Sequence, residues 1–434
     1  MKKSNPVYGI RAARTLSAIA LLACVAAAGA AAFAQGDLTG GVGQFIAAQP
    51  KKEKVVKRAA RKFEKPKAAP GVPKPKETAE DKLMEAASAG NAAAVEDLVR
   101  RGANVNAKSK DGCTPLIYAI AGGHAALAQS LVSKNADVNA RCADGVTALM
   151  VAAETGDASL VEALAGRGAA PGAKTEDGRT PLIFAASNGH LAAVRVLLAK
   201  GADASAAFRD GRNALVFAAA NGYAAIVEEL HARKADVNAR PEDGWTALMW
   251  ASWFGHADVV KTLLDRGADV KARDRDNDTA LMKAATQGHL AVVQMLLARG
   301  AEADARGNGG GTALLFASSR GYYEIVEALL AKGVDVNARN SVGLTPVITA
   351  AAYGRVPTLE VLLAKGANVN ARTDKGFTAL IAAANKGLAQ TVTLLIERGA
   401  DVNAKYEDGR TALAFARENG QDKVVEVLKG AGAQ

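Results

Sequence analysis

The chain has 434 residues, 49% of them hydrophobic and only 5% aromatic, with a net charge of +10. That charge is uneven, because residues 1–76 hold fifteen Lys/Arg against three Asp/Glu, whereas residues 77–434 hold 39 against 41. The balance in the larger part excludes nucleic-acid binding by it on charge grounds.

Residues 1–34 read as a secretion signal. Lys2, Lys3, Arg11 and Arg14 form a basic start, an uncharged alanine-rich run follows from Thr15, and Ala32-Phe33-Ala34 is a small-x-small cleavage pattern. Two other readings share this stretch. The run from Thr15 to Gly36 is long enough for an uncleaved anchor, though its alanine content makes it weakly hydrophobic. Leu21-Leu22-Ala23-Cys24 also resembles a lipid-attachment site, but apolar residues continue after Cys24 where a mature lipoprotein start is polar. All three readings export the protein: periplasmic or secreted if the signal is cleaved, membrane-anchored by uncleaved residues 15–36 or lipidated at Cys24 otherwise.

Residues 35–76 read as a basic linker. Within 51–65, Val55, Val56, Ala59, Ala60 and Phe63 fall at helical spacing beneath a basic face. A weak contact with an anionic membrane surface is one reading of that segment. A solvated, positively charged spacer is the other, favoured by so small an apolar face. Pro66, Pro70, Pro73 and Pro75 then stiffen a Lys-Pro tail into a stand-off.

From residue 77 onward the chain repeats itself every 33 residues. An anchor threonine recurs at Thr114, Thr147, Thr180, Thr246, Thr279, Thr312, Thr345, Thr378 and Thr411, with Asn213 filling the gap, and a degenerate copy precedes them at 78–110. Eleven units therefore begin near 78, 111, 144, 177, 210, 243, 276, 309, 342, 375 and 408. A fixed period of this size predicts a solenoid, a single quasi-linear array instead of several domains.

The physics of one unit is legible in residues 243–275. Thr246 is a natural helix N-cap, and proline follows the threonine at Pro115, Pro181 and Pro346, where its missing N–H costs nothing. Leu248, Ala251 and Ser252 share one face of a short helix that Gly255 ends. Val259, Val260, Leu263 and Leu264 give a second helix, closed by Gly267 in a left-handed cap. The Ala-Asp-Val-Lys-Ala-Arg that follows, with the Asp-Gly opening the next copy, forms an extended finger with a tight turn. Leu83, Ala86, Ala87, Gly90, Val95 and Leu98 match the core columns of the first unit, and its outer positions are charged, as a capping unit requires. Gln421, Asp422, Lys423 and Lys429 do the same at the other end.

With its pattern D-G-x-T-(A/P)-L-x-x-A-(A/S)-x-x-G-(H/Y), then L-L-x-x-G-A-D-V-N-A, the chain resembles the ankyrin-repeat family over residues 77–434. The resemblance implies an all-α solenoid of about eleven repeats that binds other proteins through its inner helices and fingers. One departure is consistent. The family's histidine after Thr-Pro-Leu is replaced by Ile117, Met150, Ile183, Val216, Met249, Met282, Leu315, Ile348, Ile381 and Ala414, so aliphatic packing stands in for its hydrogen bonds.

No enzyme chemistry is indicated. His124, His190, His256 and His289 follow the repeat's glycine and belong to its framework, His231 sits in a leucine column, and the Asp-Gly pairs are turn residues. No Walker loop, Cys-x-x-Cys pair or His-Glu-x-x-His is present. No cofactor and no metal site are therefore expected.

Residues at 250, 253 and 254 share a helix face rotated away from Leu248, Ala251 and Ser252. The column through 250 is aromatic in six of ten copies, including Phe217 and Trp250. Two readings apply to that column: a docking surface, or packing between neighbouring inner helices. All three tryptophans, Trp245, Trp250 and Trp253, fall in one repeat beside Phe254. Arg320 and Tyr353 occupy the column of Phe254, and Phe377 the column of Trp245. Trp245, Trp253 and Phe254 lie in columns where the family varies, so these residues are the expected contact site for a partner protein. An envelope-attached spacer working through the basic tether is the alternative, and a monomer is expected.

A second column, Lys108, Arg141, Lys174, Arg240, Arg273, Arg306, Arg339, Arg372 and Lys405, runs along the fingers. It reads either as a basic rail for an anionic partner or, with aspartates three residues away, as neutralised finger stems. Lys234 stands where glycine is usual and should hold a left-handed backbone. Asn308-Gly-Gly-Gly311 should loosen one finger. Cys113 and Cys142 lie in adjacent repeats four positions apart in phase, which, with units near 10 Å apart, predicts free thiols.

Overall fold

A computed structural model of the protein describes residues 78–434. The signal, linker and basic-segment readings lie outside the described residues. Twenty-two helices alternate between an inner and an outer helix of each repeat, from Ala79–Ser88 to Asp422–Gly430. Inner helices pack on one another more closely than outer helices do, which bends the array and puts inner helices and fingers on its concave side.

Each inner helix starts as its side chains dictate. The Thr246 hydroxyl accepts from the Met249 amide at 3.4 Å, and the Asn213 carbonyl oxygen accepts from Val216 at 3.0 Å. Thr114 is the exception, with no such bond before the helix Pro115–Ala121. Leu248, Ala251 and Ser252 are fully buried, as are Val259, Val260 and Leu263 of the outer helix. The aliphatic column that replaces the histidine is buried from Ile117 to Ile381. At the N-terminus Thr78 and Asp81 form a reciprocal capping box, and Leu83, Met84 and Val95 are buried beneath it.

Three kinds of tie join neighbouring repeats. First, the framework histidines reach backward: His190 Nε2 meets the Glu154 carbonyl at 2.9 Å and His289 Nε2 the Trp253 carbonyl at 2.9 Å. A carbonyl can only accept, so Nε2 carries the proton. The imidazole of His190 lies where a Cβ on Gly156 would stand, so that glycine both ends its helix and admits the next repeat's ring. Tyr223, Tyr322 and Arg355 fill the same position over Gly189, Gly288 and Gly321.

Second, an asparagine in six of the fingers clamps the following segment. Asn238 donates to the Gly267 carbonyl at 3.0 Å and accepts from Asp269 N at 2.8 Å, and Asn106, Asn139 and Asn370 repeat the pattern. Third, the arginine column forms rungs. Arg141, Arg240, Arg273, Arg306, Arg339 and Arg372 each donate to the backbone carbonyl one repeat further on. The expected neutralisation by aspartates three residues away is not what orders them. Carboxylates are added from elsewhere only at Arg273, by Glu302, and at Arg339, by Asp374.

Gly172, Ser205, Lys271 and Asp304 replace the clamping asparagine, and Ala207 the arginine. Among the described residues, the finger carrying Gly172 and Lys174 and the one carrying Ser205 and Ala207 therefore lack both forward side-chain ties. Lys234, in the finger that follows, adopts φ 64°, as its place at the glycine position predicts. Amide exchange across 203–245 should run about thirtyfold faster than across 337–405, since each of the two missing ties is worth about 1 kcal/mol. Ser205→Asn with Ala207→Arg should slow it, and unchanged rates by mass spectrometry would count against the ties.

Two expectations fail. Cys113 and Cys142 are bridged, with Cα atoms 4.3 Å apart. Fingers stack edge to edge, Ala143 N donating to the Asp111 carbonyl at 2.8 Å, far closer than the helices behind them. They also lean, so the position of residue 113 faces the position of 142 in the next finger. Phe377 and Tyr406 meet at the equivalent positions, their rings 5.8 Å apart. The glycine finger is not loose either. Asn308 N donates to the Asp276 carbonyl at 2.7 Å and Ser341 N to the Gly309 carbonyl at 2.9 Å.

Candidate partner-binding face

The tryptophan repeat builds its inner surface on the helix Ala247–Phe254. Trp245, at the end of the finger, lies against Trp250 with ring centroids 4.6 Å apart, and against Trp253 at 5.6 Å. Phe254 stacks on Trp250 at 6.0 Å with 13° between planes. The columns of 245 and 250 pair in this way along the array: Arg179 lies over Phe184, Arg212 over Phe217 and Arg410 over Phe415. Arg212 also reaches the Trp250 ring of the next repeat, at 6.0 Å. These contacts pack the column beneath the concave surface in those repeats.

Burial then sorts the expected site residues. Trp250 is 2% exposed, Phe217 3% and Trp245 8%, so none of the three is open to a partner. Column 250 is packing. Trp245 is a correction, because its place in a variable column predicted exposure, whereas Trp250, Trp253 and Lys283 enclose it. The Trp250 indole N–H is buried without an acceptor among the described residues. Phe377 is half-buried against Tyr406 and Phe415. Trp253 is half-buried, and Arg320, Phe254 at 36% and Tyr353 at 47% are exposed. The exposed large hydrophobics among the described residues are Phe254, Tyr323 and Tyr353, two of them in one inner-face column. In three other repeats that column carries Asn188, Asn221 and Asn419, each donating to its own helix's backbone at 2.8 Å.

A group that pattern reading missed lies under Trp245. Lys283, from the helix Ala280–Gln287, occupies column 250 and is 5% exposed. Its ammonium sits 4.4 Å above the Trp245 ring and 2.7 Å from carboxylate oxygens of both Asp274 and Asp278. Asp274 accepts from the Asp276 and Asp278 amides at 3.0 and 2.8 Å. Burial raises the Asp278 carboxyl above its ordinary value, with Lys283 pulling it down, and burial likewise raises Asp243. The signal for this triad was present, since in the ten copies that follow the degenerate first unit Lys283 is the one charge in the 250 column and Asp278 the one acid in the 245 column. The triad is ion-paired internally and buried, which suits it to holding the tryptophans and not to reaction chemistry. Among the described residues, no group of three or more His, Cys, Asp or Glu is placed to hold a metal ion.

A family model described as ankyrin repeats (3 copies) matches the chain in overlapping segments, residues 83–175, 149–241, 207–274, 271–340, 314–406 and 347–434. A comparison with curated proteins finds no match.

Proposed function

Because the chain belongs to the ankyrin-repeat family, whose arrays generally mediate protein–protein interaction, we propose that it is an exported, non-catalytic scaffold. It holds a partner protein against the concave face around Trp253, Phe254, Arg320 and Tyr353. The observation that carries this reading is the exposure of Phe254 and Tyr353 in a column that is polar toward both ends of the array. An exposed apolar cluster in a soluble fold marks a contact site, and aromatic anchors dominate contact energies.

Export rests on the basic start, the alanine-rich run and Ala32-Phe33-Ala34. A Cys113–Cys142 bridge supports it, because such bonds persist in oxidising compartments. The array meets its partner as a monomer, held off the envelope by residues 35–76.

Capture from native envelope with the full chain is the test, beside a Trp253→Ala/Phe254→Ala/Tyr353→Ala variant. Trp245 is left intact because it is core. The variant should lose at least about tenfold in affinity while its circular dichroism is unchanged. Equal capture by both would remove the concave face as the site. If deleting residues 51–76 then abolished capture, the tether would be the working part.

A further inference from the structure

The sequence holds four Asn-Gly pairs, Asn188-Gly189, Asn221-Gly222, Asn308-Gly309 and Asn419-Gly420. In such a pair the glycine amide nitrogen and the asparagine side-chain carbonyl carbon are the two ends of a five-membered ring, so attack of one on the other is intramolecular. Glycine presents no Cβ to crowd the approach. The fold decides which of the four pairs is free to react.

Three of them end inner helices and are held at both reacting groups. Asn188, Asn221 and Asn419 each donate from Nδ2 to their own helix's backbone at 2.8 Å. The glycine amides that follow donate to the carbonyls of Ala186, Ala219 and Arg417 at 3.4, 3.3 and 3.1 Å.

The fourth pair lies in a fingertip. Gly310 N donates to the Gly307 carbonyl at 3.0 Å, closing a turn whose central peptide joins Asn308 to Gly309. The hydrogen bond of a turn joins its first and last residues and leaves the amide of the third outside it. Among the described residues the Gly309 amide accordingly donates no hydrogen bond. Asn308 is exposed, with Nδ2 3.3 Å from the Arg275 carbonyl. The space around Gly309 is open, since a Cβ there would meet only the Ser341 hydroxyl, at 3.7 Å. Of the ten residues in its column, Asn308 is the one asparagine.

We propose that Asn308 is a site of self-modification, at which the Gly309 amide displaces the side-chain nitrogen and a carboxylate comes to replace it on the fingertip. The Gly309 N–H proton passes to solvent base, the N–Cγ bond forms and the Cγ–Nδ2 bond breaks, releasing ammonia. Water then opens the cyclic imide. Addition at Cγ gives aspartate, whereas addition at the backbone carbonyl gives isoaspartate, whose chain runs on through Cγ. Both products add a negative charge to the finger and remove the donor that faces the Arg275 carbonyl. Isoaspartate also lengthens the backbone within a finger pinned on both sides, by Asn308 N on the Asp276 carbonyl and Ser341 N on the Gly309 carbonyl. The modification does not depend on the concave-face reading, although it changes the charge of a finger beside that face.

The full chain, held at neutral pH and mapped by peptide mass spectrometry, tests this. Asn308 should convert about thirtyfold faster than Asn188, Asn221 or Asn419, because each of those must first release two hydrogen bonds. In heavy-oxygen water the product should carry the label, and an isoaspartyl methyltransferase should methylate part of it. In guanidinium chloride the four pairs should convert at similar rates. Gly309→Asp should slow Asn308 severalfold without harm to the fold, aspartate being the residue at this position in seven other repeats.

The proposal falls if all four pairs convert alike in the folded chain, or if Asn308 stays unmodified there over a time that converts it in guanidinium chloride. It also falls if Asn308 leads by the same factor in guanidinium chloride, where the fold no longer acts. Aspartate without any isoaspartate would mean direct hydrolysis by water and would remove the Gly309 amide as the nucleophile.

Discussion

Lys283→Met should destabilise the array by about 3–5 kcal/mol at neutral pH, among the largest effects expected of any single substitution in this chain. Asp274 and Asp278 would be left buried beside Trp245 with no cation between them. The loss should depend on pH in a defined direction. Burial already holds Asp278 above its ordinary value, and removing the ammonium raises it further. A carboxyl whose folded value is raised favours the folded state fully below its unfolded value, near pH 4. That contribution is lost as pH rises through the folded value. The variant should therefore approach the parent's stability near pH 4 and fall away from it toward pH 7. Urea unfolding at both pH values reads this directly. A loss that did not change with pH would mean that Lys283 acts by packing alone.

The array itself supplies the control. Thr175, Arg179 and Phe184 occupy the columns of Asp274, Asp278 and Lys283, with Arg179 4.9 Å above the Phe184 ring. Replacing all three together, Asp274→Thr, Asp278→Arg and Lys283→Phe, should recover most of the stability. A buried ionic group exchanged as a set for a well-packed one is near neutral, whereas removing one member is not.

Breaking the Cys113–Cys142 bridge is the second large effect. It closes a loop of 29 residues between adjacent fingers. The loss of unfolded-chain entropy for such a loop is worth about 3–4 kcal/mol. In a linear array each repeat contacts only its neighbours, so the loss should be confined to the N-terminal three repeats. Reduction, or Cys113→Ser with Cys142→Ser, should speed amide exchange in about residues 79–166 and leave 337–434 unchanged. Alkylation of the protein purified from its native source without reductant should label neither cysteine. Two labelled cysteines would return the protein to free thiols and remove one support for export.

Most of the architecture is legible in the residues, for local reasons. The threonine column caps helices, the glycines close them, the aliphatic columns bury, and the period of 33 puts these devices in register. None of this needs a contact distant in sequence. The framework Gly-His pairs were recognised too, although the reason for the glycine, the imidazole of the following repeat, lies across a repeat boundary.

The site was only partly legible. Trp253, Phe254, Arg320 and Tyr353 face outward as their helix phase predicts, because a helix face follows from spacing within one element. Trp245 does not, because it belongs to a finger, and a finger's surroundings are the fingers on either side. Comparing repeats at equal phase places each residue beside its own equivalent. The stacked fingers lean, so residue 113 meets 142, residue 377 meets 406, and the Asp278 side chain fills the space beside Gly307. The sequence by itself determined the repeat, its caps and the outward helix face, all set by backbone geometry within one unit. Tertiary structure alone decided that two cysteines bond, that Trp245 is sealed and that Lys283 lies buried between two carboxylates. Those depend on how far one finger slides along the next, a distance that no single repeat encodes.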